Sequence, residues 1–150
     1  MSKKNNPSPT GELSYYGLSL LSYLYESHPD RVGDQSFITV RADRATEIYS
    51  EVIRSGRTHI EAEELANEEL YRGLHFSVYN TLVNILWDEF PTEIPEKNAR
   101  AVALRLLPYC DSVLAKYDLT DNFIDTPQYG FLYTELVGTI QILLEDGLLQ

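Results

Sequence analysis

From Leu13 onward, apolar residues recur at intervals of three and four, and nowhere do they alternate with polar ones for long enough to make a strand. That spacing restricts the chain to helices packed on helices. Leu13, Tyr16, Gly17, Leu20, Leu21 and Leu24 give a first helix one apolar face through to Tyr25. His28-Pro29 ends it, because the residue before a proline is pushed out of the helical region. Gly17 on that face costs roughly 1 kcal/mol against alanine, which close approach of a neighbouring helix would offset.

A second helix starts near Asp34 or Ser36, carries Ile38, Ala45, Ile48, Tyr49 and Val52, and stops at Ser55-Gly56. Thr58 and Glu61 have the spacing of a capping box, in which each side chain bonds the other's backbone N–H, ahead of Ala62, Leu65, Ala66 and Leu70. Gly73 follows as a stop. Ser77 caps a fourth helix whose apolar residues, Val78 to Phe90, surround most of its circumference, as in a central helix with Trp87 at least partly buried. Pro91 and Pro95 bracket a turn before a fifth helix that buries Ala99, Val102, Ala103 and Leu106. Pro108 breaks it, leaving a short sixth helix with Cys110, Val113, Leu114 and Tyr117. The acidic segment Asp118–Thr126 reads as a loop, and Pro127 opens a last helix over Leu132, Leu136, Ile140, Leu143 and Leu144 that runs to Gly147. The expectation is an all-α fold, a compact array or bundle of about six to seven helices. It forms one domain over residues 13–150 behind a disordered, Pro-bearing tail of residues 1–12.

Composition agrees: 43% hydrophobic and 23% charged residues in 150 supply a core, so wholesale disorder is excluded. The longest stretches without Asp, Glu, Lys or Arg, Leu13–Tyr25 and Gly73–Trp87, fall short of the ~20 residues a membrane span needs. Lys3 and Lys4 imitate a signal peptide, but Pro7, Pro9 and Gly11 intervene and His28-Pro29 stands where a cleavage site should be. The expected location is the cytoplasm, with no membrane contact.

Net charge is -11, and it is lopsided. Residues 1–60 balance, whereas 61–150 carry the whole excess of Asp and Glu. Arg54 to Thr58 could be the turn of a helix-turn-helix, but its second helix bears Glu61, Glu63, Glu64, Glu68 and Glu69, which repel phosphates. Arg41, Arg44, Arg54 and Arg57 make at best a small basic patch, and no direct binding to duplex nucleic acid is expected.

No constellation carries recognisable chemistry. His28, His59 and His75 form no helical ligand pair. His59 and Glu63 read as a surface pair, and Asp118, Asp121 and Asp125 lack the order of a calcium loop and read as turn residues. Cys110, on an apolar stripe, reads as an inert packed thiol. There is no nucleophile elbow and no phosphate-binding glycine loop. No catalytic residue, cofactor or metal is assigned, and the chain leans away from an enzyme.

Two features stand out. Asn80, Asn84 and Asp88 recur every fourth residue on the apolar fourth helix, with Arg72 and His75 near its start. Such a stripe is a thin strip of solvent contact or a buried polar network, and the network is expected at Asn84. Arg72, His75, Asn80, Asn84 and Asp88 are therefore the candidate ligand or partner site. Tyrosine is the other feature, eleven in all; Tyr15 and Tyr23 fall opposite the leucines of the first helix, as exposed aromatics for protein contact.

Several segments together are similar to a known family: LSYYGLSLLSYLYESHP, RGLHFSVYNTLVNILWDEF, ALRLLPYCDSVLAKYDL and LYTELVGTIQILLEDG. They resemble an uncharacterised Bacteroidetes family of small helical proteins, domain of unknown function 1896, over roughly Leu13 to Gly147. The resemblance implies an all-helical fold, a bacterial origin and an association with mobile genetic elements. It supplies no activity and no catalytic residues.

The leading expectation is a small non-enzymatic accessory module that binds an unknown protein partner through an aromatic and acidic surface, as a monomer or weak homodimer. The alternatives are a small-molecule or enzymatic pocket around Arg72–Asp88 and an acidic, DNA-mimicking inhibitor.

Overall fold

A computed structural model describes residues 13–149, so the expected tail at 1–12 lies outside the described residues. Among them are seven α-helices joined by short 3-10 turns, and no strand. The helices are α1 (Tyr15–Ser27), α2 (Gln35–Arg54), α3 (His59–Leu70), α4 (Val78–Glu89), α5 (Ala99–Leu106), α6 (Asp111–Leu114) and α7 (Gln128–Glu145). The fold is all-α. The chain divides into two compact units, Met1–Arg72 and Gly73–Gln150.

In the first unit α2 packs against both α1 and α3. Asp34 caps α2 by accepting from the Phe37 N–H at 3.2 Å. The α2–α3 turn is made by Gly56, whose φ of +92° is the left-handed geometry a side chain would strain. The capping box is complete: Thr58 Oγ1 accepts from the Glu61 N–H at 3.1 Å, and Glu61 Oε1 accepts from the Thr58 N–H at 3.0 Å. Ala42 and Ala45 on α2 and Ala62 and Ala66 on α3 are all buried, and such small side chains let backbones approach. Ile48, Tyr49 and Val52 are only half covered. Gly17 departs from expectation. A Cβ there would lie 3.2 Å from the Cβ of Leu13, so the crowding comes from the chain's own preceding turn and not from a neighbouring helix.

In the second unit α4 packs against α5 and α7, and α7 also meets α6. Leu82, Ile85 and Leu86 of α4, Leu106 of α5 and Leu132, Leu136 and Ile140 of α7 are fully buried in one core. Cys110 joins it, and burial, with Asp111 adding to it, pushes its thiol up to about 11. The acidic segment holds a surprise. Phe123 is 2% exposed and packs edge-to-face on Phe76, with ring centres 4.9 Å apart. Asp121 accepts from the backbone N–H groups of Gly73 and His75 at 2.9 and 3.1 Å, fixing the segment that leads into α4.

Candidate functional site

The predicted stripe lies outward. Ser77 caps α4 by accepting from the Asn80 N–H at 2.9 Å, which sets the helix phase. In that phase the large apolar residues take the inner face, so Asn84 and Asp88 are exposed and Asn80 is half-buried. The buried network expected at Asn84 is not there. His75 is also exposed, and Arg72 is exposed while its guanidinium pairs with Glu69 at 2.8 Å.

The two tyrosines part company as well. Tyr15 keeps 69% of its surface exposed, but Tyr23 is half-buried, packed edge-to-face on Tyr71 with ring centres 5.1 Å apart and close to His28. Tyr23 is thus a packing residue, not an exposed contact. His59 and Glu63 do not pair: His59 meets the Tyr49 hydroxyl, and Glu63 accepts from the Tyr16 hydroxyl at 3.2 Å. Among the described residues no group of three or more His, Cys, Asp or Glu side chains is placed to hold a metal ion. No described helix is long and apolar enough to cross a membrane.

A concave, aromatic surface of the second unit is at the end of α4. Phe90 and Ile94 are buried and anchor the connection to α5, and the Ile94 N–H donates to the Phe90 carbonyl at 3.0 Å. Pro91 and Pro95 each fix one backbone angle there. Trp87 lies over this anchored turn with 36% of its surface exposed. Its indole N–H donates to the Glu96 carbonyl at 3.3 Å, and the Arg100 guanidinium stands 5.5 Å from its ring centre.

Two concavities share the indole as part of their lining. One, about 340 Å³, is lined by Trp87, Pro91, Ile94 and Glu96. The other, about 590 Å³, is lined by Trp87, Pro95, Glu96, Lys97 and Arg100. None of the five candidate residues Arg72, His75, Asn80, Asn84 and Asp88 lines either. Sequence reasoning passed over this place because Trp87 was counted into an all-round apolar helix. The usable signal was the pair of prolines directly after a tryptophan at a helix end.

No curated protein matches the chain. The crystal structure of protein PG0816 from the Bacteroidetes bacterium Porphyromonas gingivalis is similar throughout, with 46% identity and a TM-score of 0.87 over 95% of this chain and 97% of that one. The model of the domain of unknown function DUF1896 matches residues 8–149. By that match, which takes in nearly every residue, the chain belongs to the DUF1896 family.

Proposed function

We propose that this protein is a non-enzymatic protein-binding module and that Trp87 is the centre of its docking surface. One observation carries the reading: a tryptophan held in place by its own N–H bond and by Arg100, over a proline-braced turn, and lining two concavities. Tryptophan and arginine dominate the energetics of protein interfaces, and a pre-ordered anchor loses little side-chain entropy on binding. The chemistry of the linings selects the partner segment. An aromatic residue or proline fits the Pro91–Ile94 side, and a neighbouring carboxylate meets Lys97 and Arg100 on the other.

Panning a random-peptide display library on the purified chain tests this. Enrichment of peptides with an aromatic or proline anchor beside an acidic residue is expected, and Trp87→Ala should abolish it. Enrichment that is indifferent to Trp87→Ala would contradict the reading.

A further inference from the structure

The first unit gathers four arginines around two carboxylates. Arg41 on α2 turns one nitrogen, Nη1, onto three carbonyl oxygens at the end of α3: those of Glu69, Leu70 and Arg72, at 3.0, 3.1 and 2.8 Å. Carbonyls at a helix end lack the N–H partners of a continuing helix, and Arg41 supplies a donor to them, so it acts as a structural cap. Phe37 orients it, with the Arg41 and Arg31 guanidiniums 4.8 and 4.1 Å from the same ring centre. Glu69, only 8% exposed, then takes Arg44 Nε at 3.1 Å and Arg72 Nη2 at 2.8 Å on one oxygen, Oε2.

This clasp accounts for the inner donors only. Arg44 and Arg72 are more than half exposed, at 55% and 58%, and each bonds Glu69 through a single nitrogen. Neither guanidinium has a second side-chain partner among the described residues, so the rest of each is left to solvent. Both guanidiniums meet the same oxygen, so two largely exposed arginine heads are held side by side, the arrangement that charge-assisted bonds to one oxyanion use. The charges point the same way. Arg31, Arg41, Arg44 and Arg72 face Glu69 and Asp34, which leaves two positive charges in excess on a protein whose net charge is -11. Arg31, Arg44 and Arg72 together press on the Arg41 guanidinium and, after burial, depress its pKa. A dianion relieves that repulsion. A single carboxylate cannot balance the excess, whereas a phosphate monoester carries nearly two charges and three acceptor oxygens. The sequence reading had grouped Arg54 and Arg57 with Arg41 and Arg44. Instead Arg57 pairs with Glu61, and Arg31 and Arg72 join the cluster.

We infer that the outward faces of Arg44 and Arg72, backed by Arg31 and Arg41, form a binding site for a phosphate monoester group. Such a group reaches the site on a nucleotide or on a phosphorylated side chain.

Calorimetric titration with inorganic phosphate, adenosine monophosphate and a phosphoserine peptide tests this, with the unphosphorylated peptide as reference. Saturable binding of phosphate and of at least one ester is expected. Arg44→Gln or Arg72→Gln should weaken it about tenfold each, and high salt should weaken it further. Arg105→Gln, exposed in the second unit and outside both proposed surfaces, should change nothing. Preference for the nucleotide assigns that source, and preference for the phosphopeptide over its unphosphorylated form assigns the other. A second readout needs no variant: phosphate should slow modification of Arg44 and Arg72 by an arginine-specific dicarbonyl, followed by mass spectrometry. Absence of saturation at tens of millimolar phosphate, or equal binding by the folded Arg44→Gln and Arg72→Gln variants, would overturn the site.

Discussion

The Tyr133 hydroxyl donates to Glu89 Oε2 at 3.0 Å and ties α7 to the last turn of α4. Tyr16 does the same for α1 and α3 through Glu63, and the Tyr117 hydroxyl donates to Glu135 on α7. Three of the eleven tyrosines thus tie separate parts of the chain together through a carboxylate. Tyr133→Phe and Tyr16→Phe should each lower stability by about 0.5–1.5 kcal/mol, the usual net worth of one hydrogen bond, in denaturant unfolding.

Those clasps also set a response to alkali. Burial and the neighbouring carboxylate push Tyr16 and Tyr133 up to about 12 from an ordinary 10.0. A phenol whose folded value is raised contributes stability fully below its unfolded value, and that contribution is lost as pH rises towards 12. Unfolding midpoints should therefore fall between pH 10 and 12, and fall less in the Tyr16→Phe, Tyr133→Phe double variant.

What the sequence revealed and what it hid follow from how each signal arises. Helix ends were legible because Asp34, Thr58 with Glu61, and Ser77 act on backbone groups three residues away. Phe123 was illegible because its partner, Phe76, is far along the chain and the segment around it has no period. Spacing placed Asn80, Asn84 and Asp88 on one stripe, but it says nothing of what packs there, and that decided their exposure. The four-arginine cluster draws on residues from 31 to 72 and leaves no local pattern.

Asn84→Ala tests the outward stripe. Exposed as it is, the change should stay within about 0.5 kcal/mol. Leu86→Ala on the same helix, with a fully buried side chain, should cost about 2–5 kcal/mol. Thermal or denaturant melts separate the two.

Thr58→Ala removes half of the capping box and should cost about 1 kcal/mol. The Thr58 backbone N–H, with Arg57 nearby, holds the Glu61 carboxyl below its ordinary value. A depressed carboxylate contributes stability above its unfolded value and loses it as pH falls through the folded one. Glu61→Gln should therefore flatten part of the acid limb of the stability profile.

Duplex DNA should bind no more tightly than the non-specific range of about 10⁻⁴ to 10⁻⁶ M near physiological salt. The four-arginine cluster is small, and α3 beside it carries Glu61, Glu63, Glu64 and Glu68. Fluorescence anisotropy with a labelled duplex measures it.

Trp87 is the single tryptophan of the chain, so its emission reports the proposed docking surface alone. Titration with a peptide enriched by panning should shift that emission to shorter wavelength and protect it from acrylamide. Both effects should saturate at the affinity that calorimetry gives. Saturable binding by calorimetry with the Trp87 emission and quenching unchanged would place the partner elsewhere and contradict the account.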